Sequence, residues 1–300
     1  MSHHITRREF AVVAAAGAAG AVLSHVAPAI AAERSAERSV APRLIVRGDD
    51  MGYAHSGNQA IIDCCVDGIE SSIEIIAPSP WFPEAVRMLA QHPSIDVGVH
   101  LALTSEWDNV KWRPLTPAPS LRDADGFFFP MVVANPNYPK RSLAENPWRL
   151  DDVERELRAQ IELVKRHVPR VSHVSSHMGC TSMRPDVKEL TRKLTKEYGV
   201  DVWAEDHGVL PARYVGPHGS SAEKIESFLA MLDQLEAGKT YLFVDHPGLD
   251  TPELRAIHHI GYEQVAIDRQ GVTDTLTSPR VKERVRTRGI KLIGYRDLSS

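Results

Sequence analysis

From Arg43 onward the chain alternates short apolar runs with amphipathic stretches, and this alternation most narrowly limits how it can fold. Apolar runs at 44–46, 72–77, 95–101, 171–175, 200–204, 240–244 and 290–293 read as strands. Helical periodicity fills 58–66, 84–91, 150–167, 185–198, 222–236, 264–276 and 279–287. Strands separated by helices run parallel and are joined by right-handed crossovers. No Gly-x-Gly-x-x-Gly follows the first strand. About six to eight such units without that motif favour an α/β fold of the distorted (β/α) TIM-like barrel kind over a dinucleotide-binding sheet. The 300-residue length fits this as a single domain spanning 43–300.

Residues 1–32 are a separate object. Thr6-Arg7-Arg8-Glu9-Phe10 precedes an Ala-rich apolar run from Ala11 to Val26, and Ala29-Ile30-Ala31 offers a small-x-small cleavage site. This order of parts reads as a twin-arginine signal peptide, which would direct export to the periplasm or the extracellular space. The run is shorter than the ~20 apolar residues of a membrane span, so no stable span is expected once the signal is removed. Residues 33–42 form a polar linker.

The formal charge of −4 excludes a nucleic-acid partner, because binding phosphates needs clustered Lys and Arg. Cys64, Cys65 and Cys180 make an odd set with no Cys-x-x-Cys spacing. That set argues against a disulfide framework and a thiolate metal site. The segment from Thr104 to Trp148 is Pro-rich and aromatic, with little regular pattern, and loops this long in compact domains are usually functional. Trp107 and Trp112 could stack on a sugar ring; equally, they could cover the barrel rim or meet a second copy of the chain, which leaves a homodimer open.

Acids and histidines fall at the ends of the expected strands. Asp49-Asp50 follows the first strand, His100 ends the third, His177 follows the next, and His246 follows the strand at 240–244. Strand C-termini in a parallel barrel share one face, where catalytic groups collect. An Asp/His/His set with an open position suits one divalent metal ion, with zinc favoured and magnesium, cobalt or nickel also compatible. One residue of the Asp pair can bind metal while its neighbour takes a proton. Each residue also has a plainer reading: Asp as a turn former, His100 as a core histidine, His246 as a turn residue before Pro247-Gly248. His173 reads as a core histidine or as a partner steadying a ligand, and His258-His259 as surface groups.

The motif Ile45-Val46-Arg47-Gly48-Asp49-Asp50-Met51-Gly52 resembles the opening of the YdjC/ChbG-type carbohydrate deacetylases, usually written Asn-Ala-Asp-Asp-Phe-Gly. Gly98-Val99-His100-Leu101-Ala102-Leu103-Thr104 is similar to that family's Gly-x-His-Leu-x-Leu-Thr, and His246-Pro247-Gly248 to its His-Pro-Gly. The resemblance runs from about Leu44 to Leu298. It implies a divalent metal held by Asp50, His100 and His177, with Asp49 as general base and His246 as the acid that protonates the leaving amine. The implied reaction releases acetate from an N-acetylated sugar, a small-molecule carbohydrate. The family's Asp-Ser-His-x-His reads Ser175-Ser176-His177-Met178-Gly179 here, so an acid and a histidine are replaced. Arg47 stands where the family has Asn, placing positive charge beside the site and making Arg47 a candidate substrate contact. Two other readings stay open: a metal hydrolase of another amide or ester, and a carbohydrate-binding protein without turnover.

Overall fold

The computed structural model describes residues 40–299. The expected signal peptide at 1–32 lies outside the described residues, as does the linker up to residue 39. Seven strands and eight helices follow in order: β1 (Arg43–Met51), α1 (His55–Val66), β2 (Ser72–Ile75), α2 (Phe82–Gln91), β3 (Asp96–Leu101), α3 (Leu150–His167), β4 (His173–Ser176), α4 (Pro185–Tyr198), β5 (Leu210–Pro211), α5 (Ser221–Gln234), β6 (Thr240–Asp245), α6 (Pro252–Arg255), α7 (Val265–Thr277), α8 (Pro279–Thr287) and β7 (Lys291–Leu292). Every strand pairing is parallel. The order across the sheet is β4-β3-β2-β1-β6-β5, with β7 added against β1.

The strands are two-faced, and the two faces differ in chemistry. Leu44 and Val46 pack outward against Phe228 and Leu232 of α5 and Val272 and Leu276 of α7. Ile73, Ile75, Val97, Val99 and Leu101 belong to a second outer core with Ile61, Ala85, Leu89, Val153, Leu157 and Ile161 from α1, α2 and α3. The alternate positions carry Arg47, Asp49, Glu74, Asp96, His100, His173 and Ser175 on the inner face. A parallel sheet is usually apolar on both faces. Here the inner face is mostly polar, with a small apolar cluster built on Ile45, Ile293 and Tyr295.

The expected strand at 200–204 is absent. Val200–Trp203 has no regular structure, and Ala204–His207 is a short 3-10 turn. Val202 and Ala204 still pack against the Ile45–Tyr295 cluster, as a stave of a barrel would. The Val200 amide, however, bonds back to Thr195 at the end of α4 rather than to a strand. Among the described residues no ladder joins β4 to β5. A cleft of about 310 Å³ opens there, lined by Val174, Ser175, Trp203, Leu242 and Tyr295 among others.

The long segment after β3 contains only two short 3-10 turns, yet it is firmly anchored. Glu156 of α3 accepts the amides of Leu115 and Thr116, both at 3.0 Å, and Asp152 accepts the Ser120 amide at 3.0 Å. The segment's own Trp107, Trp112 and Phe128 are buried. No described helix is long and apolar enough to cross a membrane. Cys64, Cys65 and Cys180 are free thiols.

Candidate metal centre

Neighbouring residues of a strand point to opposite faces, so Asp49 and Asp50 should diverge. They do not, because β1 carries an extra residue. Gly48 pairs with Ile73 and Met51 with Ile75, so three steps along β1 match two along β2. Asp50 takes up the surplus with φ +72°, a left-handed conformation that Asp tolerates better than most residues. Bulges of this kind re-aim a side chain. Both carboxylates consequently line one cavity of about 400 Å³, shared with His100, Glu106, Trp107, His177, His246, His259, Tyr262 and Arg269.

Within that cavity the structure brings Asp50, His100 and His177 together, each offering one ligand atom within 4.8 Å of the others. Asp50 Oδ1 lies 3.4 Å from His100 Nε2 and 3.2 Å from His177 Nδ1. All three residues are buried. Each histidine has its far nitrogen held. His100 Nδ1 meets the Ser175 hydroxyl at 2.6 Å, and His177 Nε2 meets Glu106 at 2.8 Å. Metal-binding histidines are oriented in this way by a partner on the other ring nitrogen.

The electrostatics also favour a cation. Burial alone would raise the Asp50 pKa, but His246, His100 and His177 together draw it well below the usual carboxylate range. Burial alone would lower the His177 pKa, but Glu106 and Asp50 lift it well above an ordinary imidazole. Positive charge is therefore stabilised where the three ligand atoms converge, and a divalent ion would displace the His177 proton on binding. Arg269 of α7 supplies a further buried positive charge, donating to Asp50 Oδ2 at 2.9 Å.

Asp49 stands beside this set, its Oδ2 3.9 Å from His100 Nε2. Arg47 grips it with two hydrogen bonds, at 2.7 and 2.9 Å, and gives a third to the Tyr295 hydroxyl at 2.9 Å. A carboxylate offers about four lone-pair positions, so two remain for a proton or a water. The structure thus places Arg47 behind Asp49, against the cleft between β4 and β5 and outside the cavity of the three ligands.

His246 follows β6 at the cavity mouth, its side chain 40% exposed. Its Nε2 lies 3.9 Å from Asp50 Oδ2 and its Nδ1 3.7 Å from Asp245 Oδ1. Burial would lower the His246 pKa, but Asp50 and Asp245 outweigh it and raise it above the ordinary value. A raised imidazole pKa keeps a proton available to a leaving group.

The two tryptophans are both buried. Trp107 lines the cavity, but its ring is packed among Tyr53, His259, Tyr262 and the Arg269 guanidinium. Trp112 lies outside the cavity, donates its indole N–H to the Thr104 carbonyl at 2.9 Å and sets its ring 6.0 Å from that of His177. Trp112→Ala is therefore expected to cost about 3–5 kcal/mol of stability, as for other buried aromatics. Thermal denaturation checks this, and an unchanged midpoint would contradict it.

Several site residues escaped the sequence reading. Glu106 sits two residues past the His-Leu-x-Leu-Thr motif, inside the long segment after β3, where nothing in the sequence set it apart from other acids. Arg269 hides in a helix, where a buried arginine and a surface one look alike in sequence. His259, taken as a surface group, lines the cavity with Tyr262. His173 is buried and bonds Glu74 at 2.6 Å, without touching any of the three candidate ligands.

The family described as YdjC-like protein matches residues 43–287. A carbohydrate deacetylase of Thermus thermophilus is 32% identical over 238 residues, covering 71% of this chain and 80% of that protein. One of Geobacillus stearothermophilus is 28% identical over 273 residues, covering 84% and 96%. A crystal structure from Enterococcus faecalis, of a protein assigned to cellobiose-phosphate cleavage, superimposes with a TM-score of 0.67 at 25% identity, covering 87% of this chain and 99% of that one. With the family match spanning every strand but β7 and every candidate ligand, the chain belongs to the YdjC-like protein family.

Proposed function

We propose that this protein is a metal-dependent hydrolase that removes acetyl groups from N-acetylated sugars or short oligosaccharides. The observation that carries the reading is the convergence of Asp50, His100 and His177 on one point, with Asp49 and His246 in the same cavity. The names of the related proteins supply the substrate class. A divalent ion held by the three ligands would polarise the acetyl carbonyl and lower the pKa of a water.

The remaining steps belong to the chain. Asp49, held in place by Arg47, takes a proton from the attacking water. His246, whose hold on a proton Asp50 and Asp245 strengthen, hands its proton to the departing amine nitrogen. Arg269 donates a hydrogen bond to Asp50 Oδ2 and so helps to hold that carboxylate in place. The cavity of about 400 Å³ is within the ordinary range for a small-molecule site. His259 and Tyr262, both half-buried at its wall, are the rings a sugar would meet first. The parallel sheet, open between β4 and β5, supports reading the fold as a distorted (β/α) barrel short of one stave. Export by the twin-arginine route rests on residues 6–31 alone.

Acetate release should be measured over N-acetylglucosamine, its short oligomers and other simple N-acetyl sugars, with and without a chelator. Release that stops with chelator is expected. Silence across the panel, together with turnover of a different amide or an ester, would replace the substrate class. Binding of these sugars without any turnover would replace the enzymatic reading.

A further inference from the structure

We propose that Glu74, acting through the Ser175 hydroxyl, is the positioning residue that fixes the His100 ring with its Nε2 turned toward Asp50 and the point where the three ligand atoms converge. The proposal rests on the metal reading of Asp50, His100 and His177. It also accounts for Ser175, which stands at the acid of the Asp-Ser-His-x-His pattern that this segment resembles.

The direction of each hydrogen bond follows from proton counting. A serine hydroxyl has one proton to give. Ser175 Oγ contacts both Glu74 Oε2 and His100 Nδ1, the latter at 2.6 Å. Burial opposes charge on Glu74, but His173 and Arg47 hold its carboxyl down to about 2, so near neutral pH it only accepts. The Ser175 proton therefore goes to Glu74. The oxygen can then only accept from His100, so Nδ1 carries a ring proton and Nε2 is the nitrogen left to face a metal. Nε2 is the nitrogen 3.4 Å from Asp50 Oδ1.

Backbone register makes this reach practicable. Glu74 pairs with Gly98 and Gly98 with His173, so the three lie in one row across β2, β3 and β4. A Cβ on Gly98 would come within 2.4 Å of Glu74 Oε2 and 2.5 Å of His173 Nε2. Because position 98 has no side chain, the Glu74 carboxylate crosses β3 to meet His173 at 2.6 Å and Ser175 beside it. Ser175 in turn pairs directly with His100. Neither Glu74 nor Ser175 lines the cavity of the three ligands, so they act through His100 and not on a substrate. The carboxylate lacking at position 175 is thus supplied from β2, one hydroxyl further away.

The test uses the purified mature protein, zinc ions and two readouts: zinc affinity by chelator competition, and the His100 tautomer by nitrogen-15 NMR of the zinc-free protein. Ser175→Ala should weaken zinc binding about 10–100-fold, the usual effect of removing a ligand's partner. It should also mix the His100 tautomers while leaving the melting temperature near that of the parent. Ser175→Asp alone sets two carboxylates face to face and should not recover affinity. The exchange variant Glu74→Ser with Ser175→Asp should recover it. Unchanged affinity and tautomer in Ser175→Ala would overturn the proposal. Loss in Ser175→Ala without recovery in a folded exchange variant would overturn the part given to Glu74. If the parent binds no zinc, the metal reading fails separately, and the tautomer measurement still decides whether Glu74 and Ser175 orient the ring.

Discussion

Asp49→Asn is expected to leave metal content unchanged while kcat falls by about 10²–10⁴, the range for loss of a general base. The substitution keeps the shape of the side chain and a carbonyl oxygen for Arg47, so the ligand set beside it should survive. What it removes is the capacity to take a proton. Metal analysis alongside steady-state kinetics separates the two roles of the acid pair. If metal leaves together with activity, Asp49 is a ligand and the division of labour with Asp50 is wrong.

His100→Ala should do the opposite and lose the ion itself. The parent is expected to hold about one divalent ion per chain, as a site with three protein ligands and an open position does. The alanine variant should retain almost none at the same free-metal concentration. His100 is buried beside Asp50 and Ser175, so its removal also leaves a void, and circular dichroism should accompany the metal assay. A folded variant that keeps its full metal content would remove His100 from the ligand set. Chelation of the parent should abolish acetate release, with recovery on adding back zinc.

Much of this site could be read from strand endings. Asp50, His100 and His177 sit on β1, on β3 and just past β4, and a parallel sheet delivers such positions to one edge whatever the details of packing. Helices α3, α4 and α8 could be bounded from periodicity and Pro placement, because Pro185 and Pro279 open α4 and α8 at the first helical position. The stretch 200–204 misled for a definite reason. Its alternation reported that Val202 and Ala204 are turned toward the inner cluster, and alternation carries no record of whether the backbone has a ladder partner. Glu106, Arg269 and Glu74 were illegible because their importance lies in contacts across 71, 219 and 101 residues of chain. The role of Ser175 was hidden similarly: a serine in place of an acid reads as a loss until Glu74 is seen behind it.

The extra residue in β1 makes the site depend on chain length as well as on composition. Along most of the strand an even separation keeps two side chains on the same side and an odd one parts them. Between Asp49 and Asp50 that parity is broken once, and the break is what lets two consecutive residues share a cavity. A deletion of a single residue between Gly48 and Met51 would restore strict alternation. It would leave the apolar pattern that builds the outer cores intact but remove one of the two acids, with the survivor alone on the inner face and no neighbour to share its work. Variation by insertion and deletion in this strand is consequently a sharper filter on activity than most substitutions, and a folded but inert relative could arise from it in one step.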